Sequence, residues 1–125
     1  HEIDVARPLE IAGERIVPVS GHHSERFEVT GYRIGRMAYL TDFKTIADAE
    51  VGKLIGVELL VVNALRFRPH PSHFNVEEAL ALIARVAPRR ALITHVSHEI
   101  GRHAATTALL PRGVELAYDG LEIII

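Results

Sequence analysis

The 125-residue chain has no cysteine, no tryptophan and a single methionine. Without thiols there is neither a disulfide staple nor thiolate chemistry, so any metal has to be held by nitrogen and oxygen ligands. Long apolar runs are missing too. Residues 58–62 and 121–125 fall far short of the roughly 20 apolar residues that cross a bilayer, and nothing at the start resembles a charged-then-apolar leader. A cytoplasmic location with no membrane contact is expected. A stripe of one charge is also absent: 14 Lys and Arg stand dispersed against 16 Asp and Glu, for a net charge of −2. Such a balance argues against nucleic acid as a partner and favours a small or locally bound substrate.

What is present is a composition of 48% hydrophobic and 24% charged residues, which belongs to a globular domain with a real core. Histidine is in surplus, with eight: His1, His22, His23, His70, His73, His95, His98 and His103. Imidazole is costly to bury without partners and is the commonest metal ligand, so metal or proton chemistry is the first explanation. The chain opens on His1 rather than Met, from which it is expected to begin inside a longer protein.

Alternation of apolar and polar residues predicts strands over 16–19 and 26–30, with Ser20-Gly21-His22-His23-Ser24 as the connection. Tyr32 to Ile34 and Met37 to Leu40 follow as further short strands, expected to pair in an antiparallel array. A helix is predicted over 45–55. The continuous apolar run 57–62 reads as a strand covered on both faces. Asn75 and Glu78 form a capping-box pattern ahead of Val76, Ala79, Leu80, Ile83 and Val86, a helical face that Pro88 stops. A strand over 91–94, a helix over 100–109, and strands 114–118 and 121–125 joined at Asp119-Gly120 complete the prediction.

Several candidate ligands stand directly after predicted strands: His22 and His23, then Asp42, then His95. Strand ends remote in sequence meet at one rim of a sheet, and ligands on rigid supports keep their geometry. Each also has an ordinary reading. Asp42 alone is more readily a cap for the helix near Thr45, His95 a hydrogen-bonded strand end, and the His22-His23 pair a solvated turn. The segment from Arg66 to Asn75 carries Arg66, Arg68, His70 and His73 up to a helix N-terminus, where amides and the helix dipole favour an anion. Equally, its two prolines serve to stiffen a loop whose arginines point to water.

Taken together, Gly31-Tyr32-Arg33-Ile34-Gly35, Tyr39-Leu40-Thr41-Asp42, Asn63-Ala64-Leu65-Arg66, His70-Pro71-Ser72-His73-Phe74-Asn75, Glu77-Glu78-Ala79-Leu80, Thr94-His95-Val96-Ser97-His98 and Tyr118-Asp119-Gly120 resemble the metallo-β-lactamase superfamily. Its branch containing the phosphoribosyl cyclic phosphodiesterase is the most similar. The resemblance covers nearly everything from Ile16 onward and implies the C-terminal half of an αββα sandwich, an α/β (α+β) fold, across residues 1–125. It implies two divalent ions, zinc or manganese, with His23, Asp42 and His95 as ligands and His22 one residue from the pattern. His73 corresponds to a substrate-contacting, proton-donating histidine, and Arg66 and His70 join it as substrate-binding candidates. Thr94, His98 and Asp119 are candidates to orient the ligand imidazoles.

One departure stands out. The superfamily's His-x-His-x-Asp-His signature occurs nowhere in residues 1–125. The expectation is therefore a metal-dependent phosphodiesterase for a small or cyclic phosphate ester, completed by a missing N-terminal half and inactive on its own. Two alternatives stay open: the same fold hydrolysing a thioester, lactone or lactam, and a non-catalytic binding or assembly half, which an uncovered apolar face would favour as a homodimer.

Overall fold

Alternating side chains drive the first part of the chain into four antiparallel strands: β1 (Leu9–Ile11), β2 (Glu14–Ser24), β3 (Phe27–Ile34) and β4 (Met37–Leu40). This computed structural model describes residue 4 and residues 7–125, so His1 lies outside the described residues. Strand β2 is longer than its sequence suggested and carries His22 and His23, placed above in a turn; the turn is instead at Glu25-Arg26. The reason is a second edge of backbone partners. His22 N–H donates to the Thr45 carbonyl at 3.0 Å, and the Lys44 and Thr45 amides donate to the His22 carbonyl at 2.7 and 3.1 Å. The stretch from Phe27 to Ile34 is likewise one strand, not two. Gly31 does not break it but admits β4 closely, since a Cβ there would lie 2.4 Å from Leu40 Cδ2.

From β4 onward the sheet is parallel, with β5 (Leu59–Asn63), β6 (Arg90–Thr94) and β7 (Val114–Leu116) added in order to make seven strands. The unbroken apolar character of β5 reflects burial on both faces. Leu60 and Val62 enter the main core with Phe43, Leu54, Ala79, Ile83 and Val86. Leu59 and Val61 join Leu92 on the opposite face, where Met37, Ala117, Leu121 and Ile123 cover them.

Helix α2 (Val76–Val86) forms as its sequence predicts, with Asn75 Oδ1 accepting from Glu78 N–H and Glu78 Oε2 accepting from Asn75 N–H, both at 2.8 Å. Helix α1 (Asp48–Gly52) is shorter than the predicted 45–55, because Thr45 is held in a bridge to His22. Its N-cap is Ala47, so Asp42 is not a helix cap. The predicted helix over 100–109 is divided into a 3₁₀ turn (His98–Ile100) and α3 (His103–Thr107) by Gly101, whose φ of 97° no helix accommodates.

The predicted C-terminal hairpin does not form. Asp119-Gly120 makes a turn, with Leu121 N–H on the Tyr118 carbonyl at 3.1 Å, but residues 121–125 add no strand. A three-residue β7 offers few ladder bonds, whereas Leu121 and Ile123 cover apolar sheet surface at roughly 25 cal/mol per Å² removed from water. Among the described residues, no helix is long and apolar enough to cross a membrane.

Candidate metal centre

Four segments meet at the rim where β4, β5 and β6 end. Asp42 follows β4, His95 follows β6, His23 lies near the end of β2, and His73 comes from the loop between β5 and α2. Backbone bonds stitch these segments together. Phe74 N–H donates to the Phe43 carbonyl at 2.8 Å, Leu65 N–H to Phe74 at 2.9 Å, Ser97 N–H to Leu65 at 2.8 Å and Ala64 N–H to Thr94 at 3.1 Å. Asn63, fully buried, accepts from Phe43 N–H at 2.8 Å and donates to the Phe43 carbonyl at 3.0 Å, fixing the residue after Asp42.

Asp42 and His95 both adopt left-handed backbone conformations, with φ of 65° and 56°. Such strain costs on the order of 1–3 kcal/mol per residue outside glycine and concentrates at functional sites. Here it turns two side chains toward each other. His73 Nε2 lies 3.1 Å from Asp42 Oδ1 and 3.1 Å from His95 Nε2, and His95 Nε2 lies 3.3 Å from Asp42 Oδ1. A carboxylate only accepts, so the imidazoles supply whatever proton this triangle holds. His23 completes the group: its ring meets His73 edge-on at 4.5 Å, and donor atoms of His23, Asp42 and His73 all lie within 4.8 Å of one another.

His23 also shows its tautomer. Its Nδ1 is 3.0 Å from the Asp42 carbonyl, which can only accept, so Nδ1 carries the hydrogen and Nε2 is the atom left to face the cluster. The neighbouring His22 ring is turned elsewhere, 4.0 Å from Glu28. His73 differs from His23 at its second nitrogen, which faces Ser72 Oγ at 3.2 Å and His70 Nδ1 at 3.3 Å.

Charge in the cluster follows from burial and neighbours. Burial raises the Asp42 carboxyl, but the hydrogen bond from His73 and the nearby His95 outweigh it and leave the group below its ordinary value. Desolvation pushes His73 down and the adjacent His23 and His95 add to this, against the hydrogen bond to Asp42. His70 is lowered by desolvation and by Arg66, Lys44 and His23. The rim thus presents an ionised carboxylate at Asp42 beside two imidazoles, His70 and His73, shifted toward the neutral form.

The site residues expected from sequence are therefore brought together in the case of His23, Asp42, His73 and His95, with His70 beside them. Arg66 is not in this group; its Nη1 binds Glu99 Oε2 at 2.6 Å and its Nη2 the Pro69 carbonyl at 3.1 Å. Thr94 and Asp119 line an open cleft of about 350 Å³ beside His95, together with Val96 and Tyr118. His98 is exposed at the start of the 3₁₀ turn. Two residues that sequence reasoning gave no role are Asn63 and Glu99. The signal for Asn63 was a lone amide closing an otherwise apolar strand.

With this geometry, the comparisons with known proteins are consistent. The model of the beta-lactamase superfamily domain matches residues 1–96, and the chain belongs to that superfamily. Among solved structures it is similar to a new diphosphatase from the PhnP family, with 36% identity and a TM-score of 0.94 over 100% of this chain and 48% of that one. It also shares its fold with the metallo-beta-lactamase fold protein YhfI from Bacillus subtilis, at 17% identity and a TM-score of 0.73, over 95% of this chain and 53% of that one. Among curated proteins it is 37% identical over 125 residues to an octanoyltransferase of Porphyromonas gingivalis (strain ATCC BAA-308 / W83), covering 99% of this chain and 25% of that protein. The chain thus spans a quarter of that curated relative and about half of the diphosphatase. The mixed α/β architecture with a seven-stranded sheet is that of a metallo-β-lactamase fold, present in part.

Proposed function

We propose that this segment supplies half of the active site of a metal-dependent phosphodiesterase for a small or cyclic phosphate ester. The observation that carries the reading is the convergence of His23, Asp42, His73 and His95 from four separate segments onto one rim. The donor set fits a divalent cation such as zinc or manganese, being nitrogen and oxygen only, with one anionic member, Asp42, held below its ordinary carboxyl value.

In this reading His23, Asp42 and His95 hold metal, and further ligands come from a His-x-His-x-Asp-His segment outside residues 1–125. Two bound cations would supply positive charge against the phosphoryl oxygens and acidify water toward hydroxide. Asp42 contributes the anionic oxygen, and the carbonyl bond at Nδ1 keeps His23 in the right tautomer. His73 handles the proton. Its Nδ1 faces Ser72 and His70, groups that pass or exchange hydrogen, instead of the fixed acceptor that orients a ligand imidazole. Neutral in the free site, it offers one N–H to a phosphate; the approaching negative charge raises its affinity for a proton, so that it takes one up from solvent to become imidazolium and gives that proton to the leaving oxygen, returning to the neutral form. Such a role typically accounts for about 10²–10⁴-fold in rate.

The phosphate preference draws support from the 36% identical diphosphatase. The alternative of an acyl substrate draws on the octanoyltransferase, a quarter of whose length is covered. Metal analysis of the full-length protein, with hydrolysis of bis(p-nitrophenyl) phosphate beside p-nitrophenyl acetate, decides between them: turnover of the acyl ester alone would favour the acyl reading. Bound divalent metal and turnover are expected from the full-length protein, and no turnover from residues 1–125 alone. A full-length protein with neither metal nor turnover would overturn the reading in favour of a binding or assembly role.

A further inference from the structure

Arg33, in the middle of Gly31-Tyr32-Arg33-Ile34-Gly35, is held by backbone alone. Its Nε donates to the Gly35 carbonyl at 3.1 Å, and its Nη1 donates to the carbonyls of Lys53 and Ile55, both at 2.8 Å. Nη2 has no hydrogen-bond partner among the described residues and is not buried, so its N–H groups face open space. That space is a cleft of about 390 Å³ lined by Arg15, Val17, Arg33, Gly35, Gly52 and Lys53. Three cations from three segments share it: Arg15 from the start of β2, Arg33 from the end of β3 and Lys53 from just after α1. Lys53 Nζ is fixed by Glu50 Oε2 at 2.7 Å and the Pro18 carbonyl at 3.1 Å. Arg15 and Arg33 have no carboxylate partner among the described residues. Glu14 stands at the edge, its Oε2 3.7 Å from where a Cβ on Gly35 would lie.

The cleft is remote from the metal centre. Arg15 and His23 stand at opposite ends of β2, roughly 26 Å apart at the rise of an extended strand. Val17 pairs with Arg33 and points to the same side as Val19, which enters the core beneath α1 and α2. The cleft therefore opens on the helix side of the sheet and stays open when the side of Leu59, Val61 and Leu92 is covered. Its construction suits phosphate. A guanidinium already fixed by three carbonyls gives up little freedom on taking a ligand, and its free edge offers donors to a tetrahedral oxyanion. The Lys53 ammonium adds a second fixed charge and the exposed Arg15 a movable one. Gly35 and Gly52 let an anion approach the backbone, and a Cβ at Gly52 would meet nothing within 4 Å.

We propose that the cleft between Arg15, Arg33 and Lys53 binds a small polyphosphate anion of the size and charge of pyrophosphate, at a site separate from the metal centre. The inference does not depend on the phosphodiesterase reading. Arg33 is the fixed donor, Lys53 and Arg15 supply the remaining positive charge, and a bound anion ties the end of α1 to β2 and β3, which stabilises the folded protein by mass action.

The test is titration of the zinc-loaded full-length protein with pyrophosphate, followed by amide NMR shifts and by calorimetry at about 0.15 M salt. Saturable shifts are expected at Gly35, Gly52 and Lys53. An Arg15→Gln, Lys53→Gln double variant should bind about tenfold or more weakly through these amides, the loss of two charge-assisted contacts, with its metal content unchanged. Arg33→Lys, which keeps the charge and loses the fixed fork, should weaken binding as well. Because Arg33 also holds the end of α1, the double variant decides if Arg33→Lys folds poorly. Shifts confined to residues 94–96 and His73 would put the anion on the metal ions and overturn the proposal. A double variant that binds as tightly as the wild type would do the same. A single-stranded oligonucleotide forms the last arm: if it displaces pyrophosphate and binds more tightly through the same amides, the cleft serves nucleic acid and the small-anion proposal falls.

Discussion

The side chain of Asn63 closes a two-bond ring on the backbone of Phe43, accepting from its N–H at 2.8 Å and donating to its carbonyl at 3.0 Å. Asn63→Ala leaves Phe43 N–H buried without an acceptor, while the carbonyl keeps Phe74 N–H at 2.8 Å. The loss is expected to be about 2–3 kcal/mol, the cost of an orphaned buried donor plus a small void. Asn63→Asp should be worse, because it sets a second oxygen against the Phe43 carbonyl. Urea unfolding checks both, and a loss below about 0.5 kcal/mol for Asn63→Ala would show the ring to be dispensable.

Gly21 is fixed by the ring of Phe43. A Cβ at Gly21 would stand 2.2 Å from Phe43 Cε1 and 2.8 Å from the Thr45 carbonyl, whereas one at Gly52 meets nothing within 4 Å. Gly21→Ala is expected to cost about 2 kcal/mol or more by overpacking, and to weaken metal binding by displacing the segment that holds Asp42. Gly52→Ala in α1 should be neutral or stabilising by up to about 1 kcal/mol. Thermal unfolding of the two variants side by side tests the contrast, and equal effects would refute it.

The two-sided burial of β5 and the start of α2 were legible because they depend on local pattern: a run of apolar residues in one case, Asn75 with Glu78 in the other. The candidate ligands were legible only as residues after strands and through the superfamily resemblance. What sequence could not show was the left-handed backbone at Asp42 and His95, since neither residue type announces it. The histidine pair was misplaced because the partners that extend β2 through His22 lie at Lys44 and Thr45, 22 and 23 positions onward. The C-terminal hairpin failed for a similar reason. Asp119-Gly120 does turn the chain, but the fate of Leu121 and Ile123 was decided by an apolar face made from β5 and β6.

For the division of labour at the rim, His73→Ala in the full-length protein is expected to retain metal and lose about 10²–10⁴-fold in kcat. Asp42→Ala and His95→Ala are expected to lose metal as well as activity. Metal content by mass spectrometry beside steady-state rates separates the roles. A metal-depleted His73→Ala protein would make His73 a ligand, a role its place within 4.8 Å of the His23 and Asp42 donor atoms also permits.

Acid should loosen the metal-free protein early. His70 and His73 are both lowered from the usual imidazole value of 6.5, so the unfolded chain binds their protons more readily than the folded one. The stability this represents is present above about pH 6.5 and is lost as pH falls through the folded-state values below it. Asp42, lowered from 3.8, adds a loss of the same sign in a more acidic window. Chelator-treated protein is expected to show a falling unfolding midpoint from about pH 6.5 downward, and less of that slope in a His70→Gln, His73→Gln double variant. A slope unchanged in the double variant would place the titration elsewhere.

The left-handed turns at Asp42 and His95 set two selective pressures against each other. A lineage, or a laboratory library, screened for folding alone should drift toward glycine or asparagine at these two positions, since either residue adopts positive φ more readily and relieves strain. One screened for chemistry has to keep the aspartate and histidine and carry that strain in every generation. The residues found at positions 42 and 95 across descendants of this chain therefore form a record of use, in which relaxed backbones mark copies that have stopped working and still fold.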